Sequence, residues 1–279
     1  MLHPFDGRMR RYRFGPTEEP GTGVSRRVLD GAKTYSFNSL GYRGEEFDPD
    51  SPVKLFVCGC SYTFGDGLEL EESWPFLFKE RLAKQHGLPA SSVNLMNFSE
   101  GGASNDYITR ILITQSARVR PDMMVAAFTN MRRFELIDET VAFPFGSWGM
   151  DVYLEKYSQT GHAHMAKNGE FVFLGTDENQ EKLRMIKNVL LLQYFCRSRD
   201  IPFIFLFMES LVRNDLPSAL SIPTTQPLYE EIDLDLLVPI ERAMKVDLAA
   251  DEIHPGPRSQ ELMAEAAWKT YRARYAESM

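Results

Sequence analysis

Residues 53–67, "VKLFVCGCSYTFGDG", decide how the chain is read. The first half is an apolar run of strand length that stops at Gly59, as strands bounded by glycine do. Three candidate nucleophiles, Cys58, Cys60 and Ser61, cluster where the apolar run ends. Side chains alternate along a strand, so Cys58 and Cys60 share one face while Ser61 points the other way and begins the turn. A hydroxyl at that place faces the crevice where open parallel sheets bind ligands, with N–H groups of the following helix nearby. Serine at a strand end also serves as an ordinary helix cap or turn residue, and a cysteine is an intrinsically better nucleophile. The rest of the chain has to decide between them.

From Val53 onward, short apolar runs alternate with longer amphipathic ones, the pattern of parallel strands joined by helices. The run "VNLMNFS" predicts a second strand, "DMMVAAFTN" a third and "IPFIFLFM" a fourth. Between them, "SWPFLFKERLAKQHG" predicts a helix capped by Ser73 and stopped by Gly87, and "SNDYITRILITQSARVR" a second. "DENQEKLRMIKNVLLLQYFCRSRD" predicts a third helix, with Asp177 as its cap. Residues 133–176 break the rhythm and are read as an excursion from the core that forms a lid; 209–250 form a second excursion. Within the latter, a short helix is expected over 234–244 and a fifth strand at "KVDL", 245–248. The closing helix is expected to bury Leu262, Ala266, Trp268 and Tyr271. The expected architecture is a three-layer α/β/α sandwich on a mostly parallel sheet of about five strands. Residues 1–52 form an N-terminal extension packing on a single domain that runs from 53 to 279.

The 279 residues carry a formal charge of −8 and 43% hydrophobic residues, which fits a folded globular chain and argues against general attraction to nucleic acid or to anionic membranes. No apolar run reaches the length of a membrane span, and the arginines near the N-terminus are not followed by the apolar region of a secretory signal. Three cysteines make a poor disulfide framework, so a reducing cytoplasm is expected.

Three further loops carry candidate chemistry. "NFSEGGASND" places Gly101 and Gly102 where the backbone approaches something closely or takes a positive φ. "FTNMRR" offers the side-chain amide of Asn130 beside Arg132 and Arg133, which suit an anionic part of a substrate or an ordinary solvated surface. "ADEIHPGP" sets Asp251 three positions before His254 in a segment kept out of regular helix by proline and glycine. A carboxylate so placed can fold back onto one ring nitrogen and leave the other as a base.

Taken in order, "GCSYTFGDG", "NFSEGGAS", "FTN" and "DEIHPG" resemble the SGNH (GDSL-type) hydrolase superfamily. The resemblance spans about residues 53 to 275, and "FNSLGYRGEEF" ahead of it is similar to a segment that precedes the core in some of these proteins. It implies a flavodoxin-like α/β fold and a serine esterase without a cofactor. Ser61 would be the nucleophile, His254 the base and acid, and Asp251 its orienting carboxylate. Ser61, Gly102 and Asn130 would form the oxyanion hole. Two departures stand out: Cys60 occupies the position of the usual Asp, and "FTNM" lacks the glycine before and the Asp after the usual Asn.

The expected substrate is a short acyl ester, such as acetyl, of a carbohydrate or small alcohol. An O-acyltransferase would use the same residues, and a binding module would keep the fold without the chemistry. The pair His162 and His164 lacks the cysteines or carboxylates of a metal site, and no metal is expected.

Overall fold

The computed structural model describes residues 25–29, 33–137, 142–146, 163–208, 220, 222–240 and 245–275. An antiparallel hairpin of β1 (Ser25–Leu29) and β2 (Lys33–Phe37) comes first. The α/β core then runs β3 (Val53–Cys58), a one-turn α1 (Ser61–Phe64), α2 (Trp74–Gln85), β4 (Val93–Asn97), α3 (Asn105–Ser116) and β5 (Met123–Phe128). A small hairpin, β6 (Phe134–Ile137) with β7 (Ala142–Phe145), leads to α4 (Ala163–Gly175) and the long α5 (Glu178–Arg197). After β8 (Phe203–Phe207) come a short α6 (Gln226–Glu230) and the closing α7 (Pro257–Tyr275).

Side chains cap the starts of two helices. Ser104 Oγ accepts from Tyr107 N at the head of α3, and Asp177 accepts from Gln180 N at the head of α5. Ser73 precedes α2 with proline in the first turn, and the α2 residues Trp74, Phe78 and Leu82, four apart, are buried on one side.

The four core strands are parallel, in the order β4-β3-β5-β8. All six residues of β5 and all five of β8 are buried, as expected for strands covered on both faces. From β3 the chain steps one way to β4, then crosses back over β3 to β5 and continues to β8. Right-handed crossovers therefore place the β3–β4 and β4–β5 helices on opposite faces. The packing agrees, with α2 against α7 and α3 against α5. The reversal of strand order falls between β3 and β5, where such sheets open a ligand crevice at their C-terminal edge.

Two expectations for 209–250 are corrected. "KVDL" is not a strand: the N–H groups of Val246 and Asp247 donate to Ser259 Oγ, and Leu248 makes only an isolated antiparallel bridge to Pro255. That segment is used to cap α7 instead of extending the sheet. The fifth-strand place is taken by Leu237, a single parallel bridge to Phe205, with Val238 N donating to Phe205 O at 2.8 Å. The helix expected over 234–244 is one 3₁₀ turn, Leu234–Leu236, before that bridge, and 241–244 lie outside the described residues.

On α7 the buried residues are Ser259, Gln260, Met263, Ala264, Ala267, Thr270 and Tyr271. Leu262, Ala266 and Trp268 lie on the flanks of that stripe and are only partly buried. The lid expected of 133–176 falls in part on residues outside those described, 138–141 and 147–162. Among the described residues, no helix is long and apolar enough to cross a membrane.

Candidate active site

The loop after β3 is held from three sides. Cys60 precedes α1, and its carbonyl accepts from Thr63 N and Phe64 N, which winds one helical turn and makes Ser61 its first residue. Asn97 Nδ2, at the end of β4, donates to Thr63 O at 3.1 Å. Gln260 Nε2, in the first turn of α7, donates to Tyr62 O at 3.2 Å. Ser61 is partly exposed, whereas Cys58 and Cys60 are buried. Burial pushes the Cys58 thiol well above its ordinary value, which removes the thiolate that a cysteine nucleophile requires.

The third support comes from ahead of the core. In "FNSLGYR", Asn38 Oδ1 accepts from Leu40 N and Tyr42 N, and Asn38 N donates to Tyr42 O, folding a tight turn that delivers Arg43 inward. The Arg43 guanidinium is 3% exposed and donates to Phe64 O at 2.8 Å, Gly65 O at 2.6 Å and Leu68 O at 2.6 Å. It lies 4.4 Å from the centre of the Tyr35 ring and 5.2 Å from that of Phe64, within cation–π range. The Tyr35 hydroxyl accepts from Gly67 N at 2.6 Å. The clasp joins residues far apart in sequence, so the resemblance of "FNSLGYRGEEF" to a segment preceding the core does not by itself reveal it.

At the other end of the chain, Asp251 Oδ1 accepts from the N–H groups of Ile253 and His254, both at 3.0 Å, and its Oδ2 lies 2.6 Å from His254 Nδ1. Glu252 turns the chain between them with φ 58°. Burial pushes the Asp251 carboxyl up, but the donated bonds from His254 N, Ile253 N and the imidazole outweigh it and hold the group below the usual carboxylate range. With Nδ1 against the carboxylate, Nε2 is the nitrogen turned to the rest of the site. It lies 3.9 Å from Asp66 Oδ2, and the Tyr62 ring meets the imidazole edge-on at 5.4 Å. The loop is anchored by Asp247, whose carboxylate accepts from Arg258 N, Ser259 N and Ser259 Oγ at the head of α7.

The loops after β4 and β5 complete the crevice. Gly102 has φ 80°, a conformation that glycine adopts freely. A Cβ on Gly101 would stand 3.6 Å from Asp66 Oδ2. Asn130 follows β5 and is partly exposed; its Oδ1 accepts from Arg132 N at 2.8 Å, which points the amide nitrogen the other way. Asn105 Nδ2 donates to Thr129 O, and Asn105 Oδ1 accepts from Thr129 N, which ties this loop to α3.

The two arginines take separate places. Arg132 pairs with Glu181 of α5 at 3.1 Å, and Arg133 Nη1 donates to Ala103 O at 3.3 Å beside the Gly-Gly loop. His164 is exposed on α4, and His162 lies outside the described residues. Among the described residues, no cluster of three or more potential ligands is placed to hold a metal.

Fold and site together define an α/β protein with a flavodoxin-like strand order and a serine, a carboxylate-bound histidine and candidate oxyanion donors at one sheet edge. No family model and no curated protein matches the chain. Solved structures similar to it include TesA, at 18% identity and a TM-score of 0.46 over 79% of this chain and 98% of that one. The psychrotrophic esterase EstA from Pseudoalteromonas sp., inhibited by monoethylphosphonate, is 13% identical with a TM-score of 0.44 over 79% and 97%. An acetyl xylan esterase, AlAXEase, is 12% identical with a TM-score of 0.42 over 78% and 98%.

Proposed function

We propose that the chain is a serine esterase of the SGNH type that removes a short acyl group, such as acetyl, from a carbohydrate or small alcohol. The observation that carries this reading is the 2.6 Å contact between His254 Nδ1 and Asp251, which leaves Nε2 as the nitrogen to serve as base. In the first half-reaction, Ser61 Oγ attacks the ester carbonyl and its proton passes to His254 Nε2, while Asp251 stabilises the imidazolium. Negative charge develops on the former carbonyl oxygen, and the donors assigned to it in this reading are the N–H groups of Ser61 and Gly102 and the amide of Asn130. The tetrahedral species collapses, the alcohol leaves with the proton from His254, and the acyl group stays on Ser61. Water, deprotonated by His254, then attacks the acyl-enzyme; the acid departs and Ser61 regains its proton.

The test is hydrolysis of p-nitrophenyl acetate and of acetylated sugars by the wild-type chain beside Ser61→Ala. Acetate release that disappears in Ser61→Ala, with a fluorophosphonate adduct mapped to Ser61 in the wild type, supports the assignment. An adduct on Cys60, or full activity in Ser61→Ala, overturns it. Adding a sugar acceptor separates hydrolysis from acyl transfer by product.

A further inference from the structure

The proposed triad gives no role to Asp66, a charged side chain beside it. Asp66 closes the stretch that begins at the candidate nucleophile: its N–H donates to Ser61 O at 3.1 Å, and its carboxylate oxygen lies 3.9 Å from His254 Nε2. The same oxygen faces Gly101 across the crevice, where an added Cβ would approach it to 3.6 Å. The side chain is 17% exposed. Its backbone is not free to drift. Arg43 grips the carbonyls of Gly65 and Leu68 on either side of it, and Gly67 N donates to the Tyr35 hydroxyl.

This carboxylate is not the partner that orients the histidine, since Nδ1 is taken by Asp251 at 2.6 Å. It stands beside Nε2, the nitrogen that hands its proton to the departing alcohol in the reading proposed above, on which this inference rests. A fixed carboxylate there accepts hydrogen bonds from donors on the alcohol, and it repels an alcohol that is itself anionic. An apolar alcohol of the same size would bury the carboxylate and give it no new donor, at a cost.

We propose that Asp66 is a substrate-binding residue that selects esters whose alcohol carries a hydrogen-bond donor close to the ester oxygen, as the neighbouring hydroxyl of a sugar or polyol does.

Three acetates of similar size test it: 2-hydroxyethyl acetate, n-propyl acetate and acetoxyacetate, which carry a hydroxyl, a methyl and a carboxylate. The expected result is a wild-type kcat/KM about tenfold higher for the hydroxyl ester than for the propyl ester, and lowest for the anionic one. In Asp66→Ala the hydroxyl-to-propyl ratio is expected to fall to about one. In Asp66→Asn, which keeps the shape, the penalty on acetoxyacetate is expected to shrink. Ratios that stay as in the wild type overturn the proposal, and so does an equal decline on all three esters. The same preference is then read without turnover, by NMR titration of 2-hydroxyethyl and n-propyl acetate into Ser61→Ala with and without Asp66→Ala. A binding preference that needs Asp66 in a chain that hydrolyses no ester would sink the esterase reading and keep the role of Asp66. Hydrolysis without any such preference would do the reverse.

Discussion

Gly67 packs directly against Asp251: a Cβ on Gly67 would stand 3.0 Å from Asp251 Cγ and 2.8 Å from Ala249 Cβ. Ala250 N also donates to Gly67 O at 3.3 Å. The loop that carries Ser61 and the loop that carries His254, separated by most of the core in sequence, therefore meet backbone to backbone. This contact sets how the candidate nucleophile and base stand relative to each other. Gly67→Ala adds a clash to a residue at φ 79°, where an L side chain costs about 1–2 kcal/mol. Its thermal midpoint is expected to fall and its kcat/KM to fall further than the lost stability explains. Undiminished turnover would show that the two loops separate without harm.

In the proposed reaction, removing His254 would take away the base and the acid together, whereas removing Asp251 would take away orientation and imidazolium stabilisation. His254→Ala is expected to lower kcat by about 10⁴-fold or more, and Asp251→Ala by less. Circular dichroism of both chains stays native. A His254→Ala chain with wild-type kcat on every active ester would refute the assignment of the base.

Asn130 is expected to act on the transition state only. Its oxygen is held by Arg132 N at 2.8 Å, so Asn130→Ala removes one oriented donor and should cost about 10²–10³ in kcat with little change in KM. Steady-state kinetics on p-nitrophenyl acetate measures both. A change confined to KM would place Asn130 in ground-state binding instead.

Arg43 is a buried cation whose donors serve three carbonyls of the serine loop. Arg43→Ala takes the side-chain donor from the carbonyls of Phe64 and Leu68, while Gly65 O keeps the bond from Leu68 N at 3.2 Å, and each buried group left unsatisfied costs about 1–3 kcal/mol. Arg43→Lys keeps the charge without the planar fork and is expected to recover only part of the loss. Chemical denaturation of both variants checks the order wild type, then Lys, then Ala. Equal stability of the Lys variant and the wild type would mean that charge alone suffices.

Burial raises the Asp247 carboxyl, yet the bonds from Ser259 Oγ, Arg258 N and Ser259 N lower it further, so the group sits below its ordinary value. A carboxylate with a depressed folded pKa adds stability that is present above its unfolded pKa, about 3.9, and is lost as pH falls toward the folded value. The stability gap between wild type and Asp247→Asn is therefore expected to be full near neutrality and to narrow with acidification below about pH 4. Thermal melts across that range read it. A gap constant with pH would deny Asp247 an ionised capping role.

The alternation of apolar runs and amphipathic segments after Val53 was enough to place the four parallel strands and the helices between them, because burial on both faces leaves continuous apolar stretches that no loop carries. The sequence also singled out Ser61, Gly102, Asn130, Asp251 and His254, through the order and spacing of four short motifs rather than through any one of them. The 2.6 Å pairing of Asp251 with His254 needs only a turn of four residues, so local chemistry sufficed to foresee it. What lay beyond the sequence depends on contacts between distant segments. "KVDL" has a strand composition, but Ser259 takes its N–H groups, and Leu237 takes the edge of β8 instead. Nothing local to "FGDG" marks Asp66, which only the fold sets 3.9 Å from His254. Arg43 looked like part of a preceding segment until the turn at Asn38 drove it under the carbonyls of the serine loop. Periodicity and caps are short-range properties of the chain, whereas a carboxylate beside an imidazole 188 residues away, or a guanidinium beneath another loop's carbonyls, exists only once the tertiary structure has brought them together.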